Sequence, residues 1–275
     1  MDVRVAILCD NTAGLMTKAE HGLSVFLEVD GRSFLWDCGQ TDVAVYNANL
    51  LGIDLRSVEG IGLSHGHADH AGGLWAVLSN SGPKKIYLHP GALAHRYFVA
   101  GAMKRYVGIP YRPEALEAMS QGMELNSGPI DVLPGVRLTG EVPRVTEFEG
   151  PEPNLFVGEG RELVPDPFTD DQALVVDAPD GAVVLTGCAH SGAVNILKHV
   201  LETTPSGSIK AVIGGTHLGM GAPISKVEAT MDFLEEIRPQ IMMFNHCTGS
   251  VVMSRMQDRF KERFIPGATG ILLQV

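Results

Sequence analysis

The chain has 275 residues, enough to bury a sizeable core as one large domain or two small ones. Apolar residues make up 45% and charged residues 19%, with no low-complexity tract and no solenoid repeat, so disordered and repeat architectures are set aside. The net charge of -11, with no Lys/Arg cluster beyond pairs such as Lys84–Lys85, argues against a nucleic-acid partner, whose phosphates call for a basic face. No stretch reaches the roughly 20 apolar residues of a membrane helix. The run Val5 to Leu8 is too short for a secretory signal, and Cys9, Cys38, Cys188 and Cys247 show no disulfide spacing, so the expected compartment is the cytoplasm, away from membranes.

In chain order, Val3 to Leu8 reads as a strand. Ser24 to Val29 and Ser33 to Trp36 flank Asp30-Gly31-Arg32 and predict a hairpin that ends in Asp37-Cys38-Gly39. A helix is expected over 42–51. Gly60 to Ser64 is a short strand leading into His65, followed by a helix over 71–79 and a strand over 85–88. This order of strand, helix, strand points to α/β layering. Residues 90–123 hold Tyr97, Phe98, Met103, Tyr106, Tyr111, Met119 and Met123 among Pro and Gly. They read as a helical insertion, either covering a pocket or packing as a core pair.

The second half repeats the pattern. Gln172 to Val176 and Ala182 to Thr186 flank Pro179-Asp180-Gly181 and predict another hairpin, ending in Gly187-Cys188-Ala189-His190. A helix over 192–202 follows, with Ser191 as its N-cap and amides free to receive a phosphate. Strands over 210–213, 240–244 and 271–275 alternate with helices over 225–237 and 250–262. Five apolar strands thus run into polar ends at Asp37, His65, His190, His217 and His246, and strand ends can bring side chains to one rim.

Ser64-His65-Gly66-His67-Ala68-Asp69-His70 concentrates the chemistry. Three imidazoles and a carboxylate lie within six positions, and the small neighbours Gly66, Ala68, Ala71, Gly72 and Gly73 let the backbone fold around an ion. In extended chain His65 and His67 point the same way. A turn into the next helix would aim Asp69 and His70 at a second, adjacent position. Four ligands from one segment exceed what one ion needs. Weaker candidates are Asp37, as a support for a ligand histidine or as a turn cap, and His217, as a ligand, substrate contact or structural hydrogen bond. His89 reads as structural, and Asp170 and Asp171 as a solvated turn.

His-x-His-x-Asp-His after an apolar strand, followed by Gly72-Gly73-Leu74, resembles the signature of the metallo-β-lactamase superfamily. The likeness spans the whole chain and implies a four-layer αβ/βα sandwich, a single domain over 1–275, with metals at one edge of two sheets. Asp10-Asn11-Thr12, Gly187 to Gly192, Gly214 to Leu218 and His246 to Gly249 are similar to the subgroup of dihydropterin-related (ribofuranosylaminobenzene phosphate) synthases. The resemblance makes His65 and His67 ligands of one divalent metal and Asp69, His70 and His246 ligands of a second, with zinc expected first and iron or manganese as alternatives. Two departures stand out. The mid-chain turn that carries a histidine in many members is Gly140-Glu141 here, and the slot of a bridging aspartate after Thr186-Gly187 holds Cys188. His190 is the imidazole available to complete the first site; Glu141 and His217 are its rivals. The implied activity is hydrolysis of a small phosphoester, lactone or amide by activated water, with Asp69 as the catalytic carboxylate. The alternatives are a pterin-related transfer that displaces pyrophosphate at the same centre and a pterin-like ligand-binding protein without turnover.

Overall fold

The computed structural model describes residues 1–160 and 162–275. Strands β1 (Val3–Cys9), β2 (Ser24–Val29) and β3 (Arg32–Trp36) come first, then α1 (Val43–Leu50), β4 (Val58–Gly62), the single turn α2 (Ala68–Ala71), α3 (Leu74–Ser81) and β5 (Lys85–Leu88). Next are β6 (Arg96–Ala100), β7 (Met103–Tyr106), α4 (Pro113–Met119), β8 (Met123–Leu125), β9 (Ile130–Leu133), β10 (Val136–Leu138), β11 (Leu155–Glu159) and β12 (Glu162–Pro165). The chain closes with β13 (Leu174–Val176), β14 (Ala182–Leu185), α5 (Ala193–Thr203), β15 (Ile209–Gly214), α6 (Ile224–Ile237), β16 (Ile241–Phe244), α7 (Ser250–Phe260), β17 (Phe264–Pro266) and β18 (Leu272–Gln274).

Two seven-stranded sheets pack face to face, with orders β18-β1-β2-β3-β4-β5-β8 and β17-β16-β15-β14-β13-β10-β9. The alternation of side chains along a strand explains the layers. Val5 and Ile7 of β1 meet Leu174, Val183, Leu185 and Ile213 of the second sheet in the central core. Ala6 and Leu8 face outward onto α1 and α3, with Ala44, Leu74 and Val77. Val184 and Val212 face the other way onto Ile196, Met231 and Met256 of α5, α6 and α7. Both sheets are thus covered on both faces, which is why their strands read as continuous apolar runs rather than as alternating ones. Helix, sheet, sheet, helix is the four-layer sandwich expected. Trp36, fully buried, ties the sheets together by donating its Nε1–H to Thr186 O at 3.2 Å.

The first hairpin turns at Asp30 and Gly31, with φ of 49° and 81°, the pair of left-handed residues that a two-residue turn matching strand twist needs. The segment 90–123 corrects the helical expectation. It contains the antiparallel pair β6–β7, closed at Gly101 with φ 58°, and one seven-residue helix, α4. Aromatic and β-branched residues over 97–99 favour strand pairing, and they find a partner in β11. The resulting third sheet, β12-β11-β6-β7, stands apart from the sandwich. No helix among the described residues is long and apolar enough to cross a membrane.

Candidate metal centre

The parallel registers of β3 with β4, and of β14, β15 and β16 with one another, bring their C-terminal ends to a common edge. Asp37, His65, Cys188, His190, His217 and His246 all follow these ends. Three of the five ends leave the strand through a left-handed residue that is not glycine: Asp37 (φ 57°), His217 (φ 50°) and His246 (φ 51°). A fourth, Ala189 (φ 59°), sits between Cys188 and His190. Such residues cost of order 1–3 kcal/mol each and persist where the surroundings over-determine them.

Ala189 decides how the candidate ligands divide. A regular strand would have set Cys188 and His190 on one face. The left-handed turn instead sends them to two adjacent clusters, His65, His67 and His190 in one, Asp69, His70, Cys188 and His246 in the other. Within each cluster one ligand atom per residue lies within 4.8 Å of the others. In the first, His65 Nε2 and His67 Nδ1 approach to 3.0 Å. Both ring nitrogens of His190 and Nε2 of His67 are buried with no hydrogen-bond partner, an arrangement that a cation would satisfy. Burial drives His65 and His190 well below the ordinary imidazole range and His67 down to about 3, so all three present neutral rings. In the second, His70 Nε2 is 3.2 Å from both Cys188 Sγ and His246 Nε2, and Asp69 Oδ2 is 3.3 Å from His246 Nε2 and 3.6 Å from His70 Nε2.

The surrounding residues orient these side chains. Asp37, fully buried, accepts from Ser64 N at 2.8 Å, Ser64 Oγ at 2.7 Å and His70 Nδ1 at 2.7 Å, which turns His70 Nε2 toward the cluster. Burial alone would lower His70; Asp37 and Asp69 outweigh it and raise it to about 9. Burial opposes the charge on Asp69 as well, yet His70 and His246 hold its carboxyl well below the usual range. Ser64 touches the second sheet at Gly187, where any Cβ would collide with its hydroxyl. Asp170 accepts from Gly66 N at 2.8 Å and pairs with Arg96 at 2.6 Å, pinning the turn between the two signature histidines. Asp171 accepts from Ser191 N and Oγ beside His190. Both aspartates are buried, which overturns the solvated turn read from sequence: their partners lie 104, 74 and 20 positions away.

His217 donates its Nδ1–H to Glu152 Oε1, 2.9 Å away, and its ring centroid lies 4.3 Å from that of His190. Glu152, His190 and His217 form a third cluster that shares His190 with the first. Glu141 is exposed, lines a separate depression with Arg137, Thr139 and His199, and joins none of the three. The start of α5 offers no phosphate seat, because the Glu149 carboxylate accepts from Val194 N and Asn195 N at 2.9 Å each. Gly192 (φ 108°) leads into the helix in place of Ser191, and a Cβ there would strike Glu149. His89 caps a short turn by accepting from Gly91 N, the structural role expected.

Sequence reasoning gave several residues at the site no role, Asp10 and Asn11 among them although their segment carried the subgroup resemblance. Asn11 Oδ1 lies 2.9 Å from His246 Nδ1, and Asp10 Oδ1 accepts from His246 N at 2.7 Å. The available signal was position: Asp10 follows β1 as Asp37 follows β3. His21 Nε2 reaches Asp69 Oδ2 at 3.2 Å, and Phe168 stacks on His190; both come from irregular segments with no periodicity to read. The clusters open into a cavity of about 320 Å³ whose walls include His21, Asp69, Glu152, His190, His217 and Cys247.

A profile of the metallo-beta-lactamase superfamily matches residues 17–246. The chain is 26% identical to the 7,8-dihydropterin-6-methyl-4-(beta-D-ribofuranosyl)-aminobenzene-5'-phosphate synthase of Methanocaldococcus jannaschii, over 96% of this chain and 93% of that one. Among solved structures it superposes on Tm1679, described as a metal-dependent hydrolase of the beta-lactamase superfamily, with TM-score 0.86 and 30% identity over 99% of each chain. It also shares its fold with Zn(2+)-bound PqqB from Methylobacterium extorquens, at TM-score 0.59 and 15% identity over 99% of this chain and 100% of that one.

Proposed function

The chain belongs to the metallo-beta-lactamase superfamily, and on that premise we propose that it is a metal-dependent hydrolase of a small phosphoester, lactone or amide. The observation that carries the reading is the pair of adjacent ligand clusters at one cavity, with partnerless His190 nitrogens on one side and Asp69 between His21, His70 and His246 on the other. His65, His67 and His190 would hold one divalent ion, and Asp69, His70 and His246 a second, with Cys188 beside it. Imidazole and thiol donors favour zinc, with iron or manganese next. Such a pair supplies Lewis acidity and lowers the pKa of water.

The protein's own part is positioning. Asp37 and Ser64 fix the His70 and His65 rings, and Asn11 fixes His246. Of the two carboxylates that line the cavity, Asp69 is the one set between His21, His70 and His246, and it can take a proton as the bond breaks. His217, held by Glu152, faces the same space and can hydrogen-bond the leaving group.

A second reading, transfer with loss of pyrophosphate from a pterin, is favoured by the 26% identity to the synthase along nearly the full length of both chains. Turnover by zinc-loaded protein against aryl phosphodiesters, lactones, amides and a pterin pyrophosphate decides between them. Hydrolysis of a member of the first three classes supports the proposal. Turnover confined to the pterin with an aromatic acceptor supports the second, and turnover of none defeats both.

A further inference from the structure

The third sheet roofs the cavity, and its register puts one unusual side chain there. Leu155 of β11 is opposite Phe98 of β6, and Phe98 is opposite Arg105 of β7, so the three stand in a row across neighbouring strands. All three line the cavity, as do Met103 and Val107, two positions either side of Arg105. Lys104, between them, turns the other way and lies 4.1 Å from the Tyr97 ring centroid. The roof is fastened to the metal-ligand turn, since Ala68 N donates to Val107 O at 2.8 Å and His67 bridges to Gly108. Arg105 therefore has a set place relative to the two clusters.

Among the described residues Arg105 is the one Lys or Arg that lines the cavity, and it is exposed, at the rim. Two carboxylates share the cavity. Asp69 is engaged by His21, His70 and His246, and Glu152 by His217. Among the described residues the Arg105 guanidinium has no ion-pair partner, although the chain is acidic overall. A planar five-donor cation beside an apolar wall matches one kind of ligand: a flat apolar body ending in an oxyanion.

We propose that Arg105 anchors a carboxylate or phosphoryl group of the substrate while the rest of it lies against Phe98, Met103 and Leu155. This rests on the proposed metal centre, which would take the opposite end of the same molecule. The test uses full-length zinc-loaded protein and three hydroxamates, which seek the metal: 4-carboxyphenyl-, 4-phosphonophenyl- and neutral 4-carbamoylphenyl-acetohydroxamate, each titrated calorimetrically. One anionic probe should bind about tenfold tighter than the neutral one, the scale of a charge-assisted hydrogen bond near solvent, and the arm with the larger ratio names the anion. In Arg105→Ala the ratio should fall to about one, and in Arg105→Glu it should invert. A wild-type ratio near one for both anions, or a ratio that survives Arg105→Ala, overturns the anchor while leaving the metal centre standing. Failure of all three hydroxamates to bind the wild type overturns the metal centre and the anchor together.

Discussion

Phe168 lies flat on His190, with ring centroids 4.1 Å apart and planes 6° from parallel. Both are buried, and Phe168 also meets the His67 ring edge-on at 5.7 Å. Neither nitrogen of His190 has a hydrogen-bond partner, so its plane is set by packing: the Phe168 face on one side and the rings of His65, His67 and His217 around it. Asp37 does the same work for His70 by a hydrogen bond, and Asn11 for His246. Phe168→Leu keeps an apolar filler but loses the flat face. It should weaken metal binding at the first cluster by about tenfold, the low end for losing an orienting contact, and leave the second cluster within twofold. Competition with a graded series of chelators reads both affinities; equal affinities in variant and wild type would show that the stack orients nothing.

His190→Ala and His246→Ala should each remove about one equivalent of tightly bound zinc from a wild type that holds about two, as a three-residue donor set loses its ion when reduced to two. Elemental analysis after gel filtration measures this, and anomalous scattering locates the ion that remains. The surviving ion should sit about 2.0–2.1 Å from its ring nitrogens. Chelation of the wild type should also lower its melting temperature, because an ion present at a thousand times its Kd stabilises the fold by about 4 kcal/mol. Two equivalents retained in either variant would contradict the ligand assignment.

Asp69→Asn should keep the fold and lose turnover by about a hundredfold or more, the scale of a positioned acid–base group. Asparagine preserves the side-chain shape at a half-buried position but removes the charge that His21, His70 and His246 surround. The variant has to be assayed with its metal content shown equal to wild type. Wild-type turnover at full occupancy would end the catalytic role for this carboxylate.

What the sequence made legible, and what it hid, follows from which interactions are local. The strands of the sandwich were readable because burial on both faces leaves continuous apolar runs such as Val183 to Leu185. The histidines at their ends were readable because each follows such a run. The division between Cys188 and His190 was not, since it depends on a left-handed Ala189, and alanine has no intrinsic preference for that conformation. The β6–β7 pair was misread as helical because Met and aromatic residues between Gly and Pro carry no clear period, and β11, which pairs with the other edge of β6, lies beyond residue 154. Asp170 looked solvated because its partner, Arg96, is 74 positions earlier. Glu141 looked like a rival ligand from its place after Gly140, but its turn opens on the far depression beside Arg137 and His199.

Asp171 gives a test of the site's support that needs no substrate. It is fully buried; Oδ2 accepts from Ser191 N at 2.8 Å and Ser191 Oγ at 2.6 Å, and Oδ1 has no partner. Burial, only partly offset by the Ser191 hydrogen bonds, raises its carboxyl from the ordinary 3.8 to about 6. Between those values the folded protein holds a proton that the unfolded chain has released. Stability from this group therefore falls as pH rises from about 4 to about 6, by up to about 3 kcal/mol, and is level above. Asp171→Asn keeps an acceptor for Ser191 and cannot ionise. The difference in unfolding free energy, variant minus wild type, should grow in favour of the variant across that window and then flatten, because groups that do not interact with Asp171 cancel in the difference. Urea titrations at half-unit pH steps would trace it. A difference that stays constant from pH 4 to pH 7 would mean that Asp171 ionises as easily in the fold as in water.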